Sequence, residues 1–231
     1  ALLGLGPLPP PTSVPPPPPA TPARAEARRA CGPGLAGVGP GEGQGTLVPE
    51  SIEHAMSRGA RIYGEVLGFA LTCDAFHQVA PDETGEAPAH AITLALKDAG
   101  IEPSDVDYVN AHGTSTGLND AAETRALKMA RGDHAYKGAI SSTQPMTTPL
   151  LGAAGAVEAI ATFLSINRGI VHPTINYENP DPACDLDYVP HQARRMEFRI
   201  AYPHGVGFGG NNPVWALPKL QGRPALHGPA R

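Results

Sequence analysis

The run Pro15 to Pro19 constrains this chain more firmly than any other feature, because five successive residues without a backbone N–H can join neither a helix nor a sheet ladder. Around it, residues 1–40 hold 12 of the chain's 27 prolines, a stretch Pro-Ala-Arg-Ala-Glu-Ala-Arg-Arg and few large apolar side chains. Such a segment buries too little apolar surface to offset the entropy of ordering it, and it reads as a disordered or polyproline tail. From Gly41 onward strand-like and helix-like segments alternate, the pattern of an α/β domain. The expected division is therefore a tail over 1–40, a folded unit over 41–219 and a frayed end over 220–231.

Charge and cysteine usage exclude several function classes. The 231 residues carry 17 Lys+Arg against 22 Asp+Glu, a formal charge of -5, with no basic patch for nucleic acid or an anionic membrane. Cys31, Cys73 and Cys184 lie far apart without CxxC spacing, which argues against a disulfide framework or a cysteine-rich zinc site. That usage suits a reducing compartment, and the cytoplasm is expected. The nine histidines form no H-x-x-x-H pair, so neither a metal nor a cofactor is expected. The opening Ala-Leu-Leu-Gly-Leu-Gly-Pro is too short and too proline-broken for a signal peptide. The longest apolar run, Leu150 to Ile166, has Glu158 near its middle and reads as a buried helix, not a membrane span.

Within the folded unit, short helices are predicted over Ser51–Gly59 and Ala87–Ala99, the latter stopped by Gly100. Strands are predicted over Arg61–Cys73, Asp107–Ala111 and Gly138–Ser142. Asn119 is a candidate N-cap for a helix towards Met129, with Asp120 and Glu123 in its first turn. The helix from Leu150 contains Gly152, Gly155 and several alanines, which permit close backbone approach, and burial on most sides is expected. Arg199 to Lys219 reads as two strands around a glycine-rich loop.

Two stretches could carry chemistry. In Asn110-Ala111-His112-Gly113-Thr114-Ser115-Thr116 an imidazole stands at a strand's end, able to donate a hydrogen bond or exchange a proton near neutral pH; the alternative is a histidine satisfied by the neighbouring threonines. In Gly207-Phe208-Gly209-Gly210-Asn211-Asn212 the glycines allow positive φ and backbone N–H groups aimed at an oxyanion; the alternative is a plain hairpin turn. The first stretch also contains Gly113-Thr114-Ser115-Thr116-Gly117, the pattern of a serine hydrolase nucleophile elbow. Asp181, Asp185, Asp187, His191 and His204 could then supply the later acid and base.

Taken together, these segments resemble the C-terminal half of the β-ketoacyl-(acyl-carrier-protein) synthases, condensing enzymes of the thiolase-like superfamily in fatty acid and polyketide synthesis. The resemblance rests on Gly41-Glu42-Gly43-Gln44-Gly45, Glu53 to Ala60, Asp74-Ala75-Phe76-His77, Tyr108 to Thr116, Leu151 to Ala159, Pro173-Thr174-Ile175-Asn176, Asn179-Pro180-Asp181-Pro182 and Gly207 to Gly210. It implies an α/β thiolase-like fold, of which this chain is the C-terminal half, and a decarboxylative condensation of an acyl thioester with a malonyl unit carried by acyl carrier protein. It further implies that His112 is one of two catalytic histidines and that Thr114, Thr116 and Gly209 meet substrate. Phe208 is the implied gating residue, its N–H shaping an oxyanion hole, and Glu158 a buried structural carboxylate. A homodimer, or a heterodimer with a complete synthase, is implied as the assembly.

The resemblance fails at three places. Where the family has Lys-Ser-Met-Thr-Gly-His, this chain reads Gln144-Pro145-Met146-Thr147-Thr148-Pro149, so a lysine has become Gln144 and the second histidine Pro149. Proline has no side-chain donor, and Glu158 is left without the lysine as its partner. Val206, Asn211 and the approach Tyr202-Pro203-His204 also depart from the pattern. The nucleophilic cysteine belongs to the family's first half, and Cys31, only 81 residues before His112, is too close to serve. The expectation is a synthase-type acyltransferase by descent, not competent as an isolated chain. A non-catalytic partner of a complete synthase and a serine hydrolase are the alternatives. An apolar patch where the absent half would pack is expected as well.

Overall fold

The structure, a computed structural model, describes residues 41–220; the tail predicted over 1–40 and all but one residue of the frayed end predicted over 220–231 lie outside the described residues. Seven strands and five α-helices follow in the order α1 (Ile52–Ser57), β1 (Gly68–Cys73), α2 (Glu86–Ala99), β2 (Tyr108–Ala111), α3 (Gly117–Arg131), β3 (Ala139–Ser142), α4 (Gln144–Thr147), α5 (Ala154–Arg168), β4 (Ile170–Val171), β5 (Arg194–Arg195), β6 (Ile200–Pro203) and β7 (Asn211–Pro218). Five strands make one sheet in the order β1-β7-β6-β2-β3, while β4 and β5 form a separate two-stranded ribbon. β6, β2 and β3 are parallel, and β7 runs antiparallel to both of its neighbours.

Alternation along the strands divides the core. Val109, Ile140, Tyr202 and Val214 face one way, towards Ile92 and Leu96 of α2 and Leu127 of α3. Their sequence neighbours Tyr108, Ala139 and Ala201 face the other way, with Leu217, onto Phe163 and Ile166 of α5. Every residue of β2 and β3 is buried, the signature of a parallel strand covered on both faces. α2 ends where Gly100 takes a left-handed conformation at φ 65, which costs glycine nothing.

Three local expectations are corrected. The strand predicted over Arg61–Cys73 begins only at Gly68. Its first half instead crosses α5, where Gly64 lies against the Phe163 ring too closely to carry a Cβ. Asn119 is not a cap: α3 begins at Gly117 after an extended Thr116, and Asn119 lies buried within the helix. Glu123 consequently falls in the second turn, not the first. The helix from Leu150 starts with a 3-10 turn at Leu151–Ala153 and buries one side only; Leu151 is 60% exposed, and Gly152 and Gly155 face open space.

At Gly68 β1 and α2 touch backbone to backbone: a Cβ would stand 2.7 Å from the Ala99 amide nitrogen and against the Ala95 carbonyl. Gly68→Ala therefore has to push α2 off the sheet, and overpacking of this kind costs about 1–3 kcal/mol. In urea unfolding of the full chain the midpoint is expected to fall with the slope unchanged.

Candidate functional site

The three parallel strands end side by side, with Ala111 opposite Ser142 and Asn110 opposite Pro203. Whatever follows each strand therefore gathers at one edge of the sheet, the place where open α/β sheets bind ligands. There β2 delivers His112, β3 leads into Gln144 at the start of α4, and β6 delivers His204.

A single carboxylate organises this edge. Glu123, buried on the sheet-facing side of α3, accepts the His112 N–H at 2.7 Å and the Gly113 N–H at 2.9 Å. The fully buried His204 places Nδ1 3.0 Å from the same carboxylate, and Asn119 Nδ2 lies at 3.4 Å. Burial by itself would raise the Glu123 carboxyl, but the hydrogen bond to His204, the electrostatic pull of the His204 and His112 imidazoles and the Gly113 amide outweigh it and hold it below the usual range. Two consecutive amides are thereby locked, and with them the turn that presents His112. Ser142 closes the turn from β3, its hydroxyl donating to the His112 carbonyl at 3.0 Å.

Glu158, on α5, approaches from the opposite side with its Oε1 4.0 Å from His112 Nδ1. It is buried, and its hydrogen-bond partner is the Gln144 amide, whose Nε2 donates to Oε1 at 2.7 Å. A neutral amide offsets little of the cost of burying a charge. Burial pushes the Glu158 carboxyl up to about 8, the Gln144 bond lowering it somewhat and the charge of Glu123 adding to the rise. Burial likewise pushes the His112 imidazole down to about 4, against the pull of Glu123 and with the help of His204. At neutral pH both groups facing each other are uncharged.

His112 and Glu158 line a cleft of about 320 Å³ with Leu151, Val206, Pro213 and Trp215. The walls are mostly apolar, with His112, Glu158 and Asn211 as their polar side chains. Neither Cys73 nor Cys184 lines it. Among the described residues no cluster of three or more His, Cys, Asp and Glu is placed to hold a metal ion, and no helix is long and apolar enough to cross a membrane.

The other sequence-predicted residues fall around the cleft, not in it. Thr114 and Thr116 bond each other at 3.1 Å. Phe208 is 54% exposed at the tip of the β6–β7 loop and does not line the cleft, whose wall from that loop is Val206, Gly207 and Asn211. Gly209, at φ 81, donates its N–H to the Gln78 carbonyl at 2.9 Å, and the Gly207 and Gly210 amides bond within the loop. Of the amides from Gly207 to Gly210, that of Phe208 is the one not engaged among the described residues. Pro149 is buried, with no side-chain donor to offer.

The hydrolase geometry is half present. Ser115 has φ 63 between a strand and a helix, as a nucleophile elbow requires, but its buried hydroxyl has no hydrogen-bond partner and does not face the cleft. Three of the five acids and bases named for it are committed elsewhere: Asp187 to Arg194, Asp185 to Lys128 and His204 to Glu123. Sequence reasoning did not assign Glu123, His204 or Trp215 to this site. For Glu123 a signal existed, a carboxylate in line with Asn119, Ala122, Ala126 and Leu127 on the buried stripe of α3. His204 was a candidate only as a hydrolase base, and no local pattern pointed to Glu123 as its partner.

Comparison with known proteins agrees with this architecture. The family model described as beta-ketoacyl synthase, C-terminal domain, matches residues 63–178. A 3-oxoacyl-(acyl-carrier-protein) synthase 2 of Synechocystis sp. is 54% identical over 181 residues, covering 78% of this chain and 44% of the relative. That of Coxiella burnetii is 46% identical over 195 residues, covering 84% and 47%. Among solved structures, the ishigamide ketosynthase/chain length factor superposes with a TM-score of 0.79 at 41% identity over 84% of this chain and 47% of that one. A type II PKS acyl-carrier protein in complex with its ketosynthase gives 0.78 at 37%, over 87% and 50%. The chain spans about half the length of the curated relatives it matches. The fold is that of the C-terminal half of a thiolase-like ketosynthase.

The two shifted groups predict a distinctive pH dependence. His112, depressed from 6.5 to about 4, binds fewer protons folded than unfolded between those values, so its contribution to stability rises with pH there. Glu158, raised from 4.5 to about 8, binds more, so its contribution falls as pH rises through that range. The two slopes oppose one another between pH 4.5 and 6.5, where the depressed His172 adds to that of His112; above 6.5 the histidine slopes fade and Glu158 prevails towards pH 8, with a limiting slope of about 1.4 kcal/mol per pH unit. Urea unfolding at stepped pH should show stability declining over that upper window, and Glu158→Gln should flatten the decline.

Proposed function

We propose, for a chain that belongs to the β-ketoacyl synthase family, that residues 41–219 form the C-terminal half-site of such an enzyme and receive a thioester borne by acyl carrier protein. The reading is carried by one observation: His112 and Glu158 line a largely apolar cleft at the carboxyl ends of three parallel strands. An acyl chain suits the apolar walls, and a thioester carbonyl suits the polar side chains. The reaction class is decarboxylative condensation, in which a malonyl unit loses CO2, its enolate carbon bonds to the acyl carbonyl carbon, and the thiolate leaves. His112 donates to the oxygen that becomes the enolate, through Nε2 in the neutral state that burial imposes. Thr114 and Thr116 are assigned to the pantetheine arm, and the Phe208 amide to the second oxyanion, on the family resemblance. Acyl carrier protein is the partner so implied, and the cytoplasm the compartment.

By the same reasoning the isolated chain binds but does not condense. Pro149 supplies no donor where the family resemblance expects an imidazole, and loss of one such donor typically costs about 100- to 1000-fold in rate. Among the described residues no cysteine lines the cleft to be acylated.

A second reading, a subunit packed against a complete synthase, is favoured by apolar side chains turned to solvent. Val48, Val66, Phe69, Leu71 and Leu151 are each more than 45% exposed, and β1 is an open sheet edge. Co-purification with an intact synthase supports this reading, and a lone monomer at micromolar concentration counts against it.

Trp215 is the chain's one tryptophan and lines the cleft, so its fluorescence reports occupancy. Titration with malonyl carrier protein or an acyl-pantetheine is expected to give a saturable change, weakened about tenfold by His112→Ala, the value of one good hydrogen bond. A folded protein showing no saturable change refutes the reading.

A further inference from the structure

We infer that Glu158 is a binding residue of the cleft, a carboxylic acid whose O–H points at the substrate oxygen, kept in that state by its burial with an amide, Gln144, and no cation as its side-chain partner. The inference rests on the thioester-binding reading above, and four observations carry it. Glu158 lines the cleft although it is 2% exposed, so it meets both the protein interior and the ligand space. Its polar partner is an amide and not a cation: Gln144 Nε2 donates to Oε1 at 2.7 Å. That bond fixes Oε1 as the acceptor, so the proton sits on Oε2, which has no partner among the described residues. Finally Pro149, buried nearby in sequence after α4, leaves the edge short of a donor.

The titratable groups that face Glu158 do not favour its ionised form. His112, following β2, stands 4.0 Å away and is held neutral by its own burial. Glu123, from α3, is a buried carboxylate whose negative charge opposes a second one. His204, following β6, is bonded to Glu123 and adds nothing directly to Glu158. Asn110 and Thr162 bond the Glu158 backbone carbonyl and carry no charge. Two buried carboxylates at one edge of a sheet therefore divide their roles by partner. Glu123, fed by amides and an imidazole, stays ionised and positions His112; Glu158, fed by one amide, stays protonated and donates.

The decisive experiment has two readouts on the full chain. In infrared difference spectra of wild type against Glu158→Gln without ligand, a protonated carboxyl C=O band is expected at pH 6–7 and is lost with a midpoint near 8. Gln144→Lys, which supplies a cation, is expected to move that midpoint down by more than one pH unit. Absence of the band at pH 6–7 overturns the inference. The second readout is binding of an acyl-pantetheine amide, stable in alkali, followed by Trp215 fluorescence between pH 6 and 10. Wild-type affinity is expected to fall about tenfold per pH unit above the midpoint, because only the protonated form binds. Glu158→Gln keeps an N–H donor and is expected to bind equally across the range, while Glu158→Ala binds weakly throughout. Equal loss in Gln and Ala variants, or wild-type binding independent of pH, overturns the donor role. Absence of binding by every variant overturns both the function above and the donor role, whereas the infrared band still decides the protonation state.

Discussion

The hydrogen bonds converging on Glu123 are the constraint on which the rest of the site depends. A carboxylate 4% exposed is tolerable only if its lone pairs are filled, and here two backbone amides, an imidazole and an amide side chain surround it. The same bonds that satisfy the charge hold the His112 turn in its conformation. The requirement propagates outward, because α3 brings Glu123 to the end of β2 while burying Leu127 in the core cluster with Val109 and Ile140 and setting Ala126 against Gly85 at the start of α2. Core packing and site geometry are thus one arrangement.

Against this filled carboxylate stands a sparsely served one. Glu158 and Glu123 both have relative exposures below 5% and burial is the largest influence on each, yet at Glu123 the hydrogen bonds and neighbouring imidazoles together outweigh it. The difference lies in the number and charge of donors, not in depth. Gln144 is the residue that decides it, since an ammonium in its place would supply the positive charge that an amide lacks. One substitution at the start of a four-residue helix changes the electrostatics of the entire cleft.

The uncovered surfaces follow from the same sheet. β3 is capped along its length by the chain around Asp187, whose carbonyl accepts the Ile140 N–H, whereas β1 at the other edge presents Phe69 and Leu71 to solvent. Leu151, with Gly152 and Gly155 beside it in open space, leaves the entrance to α5 bare. A thiolase-like half closes its own sheet on both faces, through α2 and α3 on one and α5 on the other. Its edge and the start of α5 stay open.

Much of this was legible in the sequence. Alternation and length placed α2, β2, α3, β3, α5 and the β6–β7 pair, and the stretch Asn110 to Thr116 marked the strand end that carries His112. The errors were local ones, as at Arg61–Cys73, where an apolar run read as one strand is half occupied in crossing α5. Asn119 looked like a cap because its residue type prefers that place, but burial against Glu123 took precedence. By itself, then, the sequence determined the class of fold, the order of its elements and the position of one imidazole at a strand's end, because periodicity and residue type act over a few neighbouring residues. Only the tertiary structure decided that His204 meets Glu123 across 81 residues, that Gln144 meets Glu158, and that Phe208 turns outward from the cleft. Hydrogen-bond partnership depends on ångström-scale placement by strand ends and helix packing, and no local pattern encodes a distance.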